Sequence, residues 1–315
     1  MAVQVKRWFE SSPYTRAVGS SNLSVPTHPD LVAADGSASE RPLSFPGPYG
    51  LSSEGTAALD TSYVCQAASP QRPNDDYVLA TDRFVIVLDG ATEPAGVDSG
   101  CVHDVPWLVA HLAANLASEL VRQPHGALVD VLREGIAATM RDHAGECDLR
   151  NPDSPSSTVA ILRCDVEAET DTKAKSVDYI VLGDSAIVIE RGDGELLVAH
   201  DDRTAHLVDY SLAGVSRARN TEEGFWIASN RPDAAEKAVA GSLPLAEVTR
   251  AALMTDGITR LVERYGRSWL DVLERMDKCG AGQVVADVRA EELASPPGAY
   301  RGKAHDDVTA VLCRF

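Results

Sequence analysis

The sequence predicts an α+β fold in which two antiparallel sheets pack in layers with helices outside them, and three observations predict it. Short apolar runs of strand length recur and stop abruptly at Asp or Gly. In FVIVLDGAT at 84–92, for example, Val85 to Leu88 is too short for a buried helix and suits a strand covered on both faces. Two stretches of helical spacing separate the first strands from the second set, and two or three more precede the last strand. Strands, two helices, strands, helices and a final strand is the order of a layered α+β architecture.

Taken in order, residues 1–57 are rich in Pro, Gly and Ser, lack a sustained period, and are expected to form an N-terminal extension to a folded domain over 58–315. TSYVCQA reads as a strand, SPQRPNDD as a turn, and YVLATDRFVIVLD as two further strands, together a β-meander. Asp104 is placed to cap a helix, Pro106 fits its first turn, and Leu108, Leu112, Leu116 and Leu120 carry the helical spacing to about Gln123. A second helix is expected from Ala127 to about His143. STVAILRCD then reads as a strand, and VDYIVLGDSAIVIERGDGELLVAHDD as three more joined by a Gly-Asp-Ser turn and an Asp-Gly hairpin. Residues 204–240 alternate short helical patterns with polar stretches. Ala251 to Met254 is another apolar run, helices are expected near 258–265, 269–277 and 283–293, and HDDVTAVLCRF closes the chain as a strand.

The 315 residues are 44% hydrophobic, enough to fill the core of a large domain. The net charge of -18 opposes any electrostatic grip on nucleic acid or anionic lipid. It also disfavours a nuclease that would use three acids and two metals, because no basic stripe is present. No run approaches the roughly 20 apolar residues of a membrane span, and MAVQVKRWFESS has no apolar core behind its basic residues. A soluble cytoplasmic protein is expected. The six cysteines form no C-x-x-C pair and no zinc-knuckle spacing with histidine, and are expected to be reduced thiols in a reducing compartment.

Five carboxylates carry the chemistry. Asp76, Asp89, Asp184, Asp256 and Asp306 each lie at or beside a strand end. Any one Asp-Gly or Gly-Asp step is most often a turn. If the strand ends share one edge of the layers, however, the acids converge, repel one another and raise their own pKa values unless divalent cations relieve the repulsion. An oxygen-only donor set favours Mg²⁺ or Mn²⁺ over Zn²⁺, and a pair of such ions supports metal-assisted phosphate hydrolysis. Glycine after Asp89 leaves the Gly90 carbonyl free to bind a cation.

The ordered set RPNDD, VIVLDGAT, SSTVAIL, YIVLGDSAI, ALMTDGI and HDDVTAVL resembles the successive motifs of the metal-dependent PP2C-type (PPM) serine/threonine phosphatases from about residue 58 to the end. That resemblance implies an α-β-β-α sandwich with a binuclear Mn²⁺ or Mg²⁺ centre between the sheets. It also implies hydrolysis of phosphoserine or phosphothreonine on a phosphoprotein by a metal-bound water. Carried onto these residues, it makes Asp89 the bridge between two ions and gives the Gly90 carbonyl, Asp256 and Asp306 to the metals. Asp76 would reach the second ion through water, Asp184 would help hold a third, and Arg72 would clamp the phosphate.

The sequence also departs from the family pattern. Ala91, Thr92, Glu93 and Pro94 replace the small residues and glycines usual after the Asp-Gly, Ala186 stands where Arg normally follows Gly-Asp-Ser, and Arg72 lies one residue closer to Asn74-Asp75-Asp76 than expected. These departures support an alternative: a regulatory or partner-binding module that keeps the fold and has weak or lost turnover.

Overall fold

The computed structural model describes residues 59–91, 96–165 and 175–315. The expected extension over 1–57, the loop residues Thr92, Glu93 and Pro94, and most of the EAETDTKAK run fall outside them.

Two five-stranded antiparallel sheets form the centre. One runs in the order β1 (Asp60–Gln66), β10 (Val308–Arg314), β9 (Val248–Met254), β6 (Ala186–Arg191) and β7 (Leu196–His200). The other runs β2 (Asp76–Ala80), β3 (Phe84–Asp89), β4 (Val159–Asp165), β5 (Ser176–Leu182) and β8 (Val239–Pro244). The all-apolar run at 84–88 is explained by its two faces. Phe84, Ile86 and Leu88 pack under helices α1 (Val105–Arg122) and α2 (Leu128–Asp142), whereas Val85 and Val87 pack between the sheets. Each fully buried aliphatic side chain contributes about 2 kcal/mol.

Asp104 caps α1 by accepting from the Trp107 N–H at 2.9 Å, with Pro106 in the first turn. On the far side α4 (Asp256–Glu263), α5 (Trp269–Cys279) and α6 (Ala281–Ala294) cover the first sheet through Ile258, Leu273, Met276, Val284 and Val288. α5 opens with a reciprocal Ser268–Asp271 capping box. Short α3 (Leu212–Ala218) and two 3₁₀ helices, Arg203–His206 and Pro232–Lys237, lie in the stretch between β7 and β8. The layers are therefore helix, sheet, sheet, helix.

The meander expected over 61–89 needs correction. β2 and β3 do form a hairpin, with Asp76 opposite Asp89. β1 instead joins the other sheet, pairing Asp60 with Arg314 and Gln66 with Val308 near the far end of the chain. Nothing in local pattern reports a partner so distant. The edge strand β8 was also invisible, because VAGSLP is largely exposed and carries Gly241 and Pro244.

Strand direction fixes where the functional ends meet. In the second sheet the start of β2 and the ends of β3 and β5 share an edge; in the first, the end of β9 and the start of β10 do so. Among the described residues no helix is long and apolar enough to cross a membrane.

Candidate active site

The hairpin register that sets Asp76 opposite Asp89 puts two carboxylates side by side at the sheet edge. The backbone of Asp89 is held by the two residues that lead into β4: its N–H donates to the Thr158 hydroxyl at 3.2 Å, and its carbonyl accepts from the Thr158 N–H at 2.9 Å and the Ser157 hydroxyl at 3.1 Å. A Cβ on Gly90 would lie 2.2 Å from Val105 Cγ1 and 2.5 Å from the Asp75 carbonyl, so glycine is required where the chain passes beneath α1.

Asp76 is buried, and one of its oxygens, Oδ2, accepts from the Thr255 and Thr309 hydroxyls at 2.9 and 2.8 Å. Its other oxygen, Oδ1, is buried without a partner among the described residues. Asp184 follows Gly183, whose φ of +85° lets the chain cross from one sheet to the other, and its Oδ2 accepts from the Thr204 hydroxyl at 2.9 Å. Asp256 begins α4, where the helix dipole favours an anion. Asp306 accepts from Arg260 Nη2 at 2.9 Å and Lys303 Nζ at 2.8 Å. Its neighbour Asp307 is a backbone clamp, accepting from the N–H groups of Ala68 and Asp75.

Burial first, and then the neighbouring negative charges, push these acids up. Asp76 rises to about 8 despite its two hydroxyl donors, with Asp256 and Asp307 adding to the effect. Asp256 rises to about 7 through burial and the charges of Asp306 and Asp184. Asp89 is pushed well above the usual carboxylate range by burial and by Asp76, Asp256, Asp184 and Asp306 together. Asp184 is raised by burial, partly offset by Thr204. The four acids thus feel one another as a single cluster.

Asp89, Gly90, Asp184, Asp256 and Asp306 all face one cleft of about 310 Å³, with Asp76 in the layer behind Asp89. Arg72 is not brought there: it is exposed and absent from the cleft wall. Three cationic residues that the sequence reading passed over do line it, Arg219, Arg264 and Lys303. Arg219 follows α3; its Nη1 donates to the carbonyls of Pro152 and Ser154 at 2.8 and 3.1 Å, and its Nε has no partner among the described residues. Burial lowers its pKa.

The residues fit a divalent metal. The donors are all oxygen, an orphaned carboxylate oxygen is buried among them, and the mutual repulsion is of the kind that a hard cation removes. The six cysteines are free thiols, as expected. What sequence spacing did not reveal is that Cys101 and Cys147 converge with His103 and His143 away from this cleft.

Residues 65–293 match the family model described as protein phosphatase 2C. Among solved structures the chain is similar to the Mycobacterium tuberculosis serine/threonine phosphatase PstP/Ppp, at 18% identity over 82% of this chain and 99% of that one, with a TM-score of 0.52. It is also similar to the PPM Ser-Thr phosphatase MsPP from Mycobacterium smegmatis in complex with cacodylate, at 14% identity, the same two coverages and a TM-score of 0.50. At these identities the likeness is one of fold. No curated protein matches in sequence.

Proposed function

Since the chain belongs to the protein phosphatase 2C family, we propose that it hydrolyses phosphoserine or phosphothreonine on proteins with the help of Mn²⁺ or Mg²⁺. The observation that carries this reading is the convergence of three pKa-raised carboxylates, Asp89, Asp184 and Asp256, from both sheets onto one cleft, with a fourth, Asp76, and its orphaned oxygen behind Asp89. Asp89 would bridge two ions, with the Gly90 carbonyl, Asp256 and Asp306 as further ligands. Asp76 would act on the second ion through water, and Asp184 would serve a third. Bound there, the ions supply Lewis acidity to the phosphoryl group and bring the pKa of a water toward neutral.

The protein's own groups do the positioning. Ser157 and Thr158 fix the Asp89 backbone, and Thr255 and Thr309 occupy one oxygen of Asp76. Arg260 and Lys303 hold Asp306. Val215, Phe225 and Ile227 give the cleft an apolar wall suited to the stem of a peptide side chain. Arg219 takes the phosphate-binding role first assigned to Arg72, because a guanidinium anchored on two carbonyls is pre-organised to receive an anion. Arg219→Ala is expected to lower kcat/KM by about 10- to 100-fold, the loss of a hydrogen bond to a charged group, while Arg72→Ala stays within about twofold. Steady-state kinetics on a phosphothreonine peptide reads both.

The reading is tested by phosphate release from p-nitrophenyl phosphate and from a phosphothreonine peptide, with the full chain in Mn²⁺ and in excess EDTA. Turnover that requires Mn²⁺ supports it. Manganese bound without turnover on either substrate would leave the fold as a partner-binding module.

A further inference from the structure

We propose that Cys101, His103, His143 and Cys147 form a structural zinc site, separate from the carboxylate cleft. The helical hairpin makes it possible. Cys101 and His103 lie in the loop just before α1, and His143 and Cys147 lie just after α2, so antiparallel packing of the two helices brings start and end together. Ala144 and Gly145, with φ of 52° and 79°, turn the chain back so that Cys147 faces His143. A left-handed alanine costs about 1 kcal/mol, which the convergence of the four side chains offsets when they share an ion.

The donor atoms are already near tetrahedral spacing. All four lie within 4.8 Å of one another. Cys101 Sγ is 3.5 Å from His143 Nδ1 and 3.7 Å from His103 Nδ1, Cys147 Sγ is 3.4 Å from His103 Nδ1, and the two sulfurs are 3.2 Å apart. Zinc with its usual bond lengths sets sulfur–nitrogen edges of about 3.5 Å and a sulfur–sulfur edge of about 3.8 Å. Three separations therefore match, and the sulfurs need to part by about 0.6 Å.

Two thiolates and two imidazoles select Zn²⁺ over the hard ions suited to the carboxylates. On binding, each thiol gives up one proton, so two protons leave and the site is electrically neutral. That suits its half-buried position. The surroundings hold the ligands in place. The His103 N–H donates to Cys101 Sγ at 3.4 Å, and Trp107 stacks on His103 at 3.8 Å and meets the edge of His143 at 4.8 Å. Half-buried Cys and His also pack together without metal. Four soft donors from two separate segments at tetrahedral edge lengths are what such packing does not require.

The site would tie the loop that follows Asp89–Gly90 to the segment leading into β4. That segment supplies the Ser156 carbonyl to the Ala91 N–H and the Pro152 and Ser154 carbonyls to Arg219. Zinc thus supports the cleft rim without touching it.

The test is metal analysis of the full chain, purified anaerobically and stripped of weakly held ions on a chelating resin. About one zinc per chain is expected to remain, to be released by a mercurial thiol reagent, and to persist in Asp89→Asn. It is expected to fall below about a tenth of that in Cys101→Ser and Cys147→Ser. Cobalt exchanged into the parent protein is expected to give the intense visible bands of tetrahedral Co²⁺ and a sulfur-to-cobalt charge-transfer band, whether or not the serine variants fold. A parent protein with reduced thiols that takes up neither zinc nor cobalt overturns the proposal. So does a Cys101–Cys147 disulfide, seen as a mass lower by two hydrogens.

Discussion

Asp89→Asn is expected to lower Mn²⁺-dependent turnover of a phosphothreonine peptide by about 10³-fold or more, the several kcal/mol that metal assistance is worth. Asp89 is the residue on which every other member of the cluster acts: its carboxyl is raised by burial and by the charges of Asp76, Asp256, Asp184 and Asp306. Asparagine keeps the shape and removes the charge. The same substitution should have the opposite effect on the metal-free fold. With one repelling carboxylate gone, the EDTA-treated variant is expected to melt above the EDTA-treated parent at pH 8, by about 2–4 °C for each kcal/mol of repulsion relieved. Differential scanning calorimetry in EDTA and kinetics in Mn²⁺ read the two effects on one preparation. Retained activity in this variant would remove Asp89 from the reaction and leave the strand ends as turns.

The metal-free parent should also lose stability as pH rises. A carboxyl whose folded pKa lies above its unfolded value keeps a proton that the unfolded chain has released. Its contribution is complete below about pH 4 and is lost as pH climbs through the folded pKa. Asp256 at about 7 and Asp76 at about 8 set the upper end of that window, with Asp89 and Asp184 acting in the same direction. Each retained proton costs about 1.4 kcal/mol per pH unit. His143 works the other way below its ordinary value, because burial, reinforced by His103, lowers its pKa. The thiols of Cys65 and Cys313, raised by burial to about 11 and about 12, act only above pH 8. The decline is therefore read most cleanly between pH 6.5 and 8. The melting temperature in EDTA should fall across that interval, and saturating Mn²⁺ should raise and flatten the curve, because the ion takes the place of the protons. A melting temperature in EDTA that climbs steadily over the same interval would mean that the carboxylates do not repel.

What was legible in the sequence was whatever a short window could hold. Asp89, Asp184 and Asp256 could be found because each ends an apolar run whose length and alternation mark a strand, and α1 because Asp104, Pro106 and the leucine spacing coincide. Convergence could be anticipated because antiparallel order leaves few arrangements of such ends. The failures have the opposite character. β1 was placed beside its neighbour in sequence, since its true partner β10 lies at the other end of the chain. Arg219 sits after a seven-residue helix in a stretch without sustained period, and its cationic character has meaning only beside the carbonyls of Pro152 and Ser154. The Cys and His ligands are split by a whole helical hairpin, so neither half looks like a metal motif until α1 and α2 are packed.

The central claim is that the carboxylate edge holds divalent metal for phosphate-ester hydrolysis. It is tested most directly by titrating Mn²⁺ into the EDTA-stripped full chain while following bound ion by electron paramagnetic resonance and phosphopeptide turnover on the same samples. The account predicts that turnover is absent without metal, rises with occupancy of the site, and gains with pH toward 8 as protons leave Asp76 and Asp256. Phosphate release that is indifferent to Mn²⁺, or a filled site that never turns over, would contradict it.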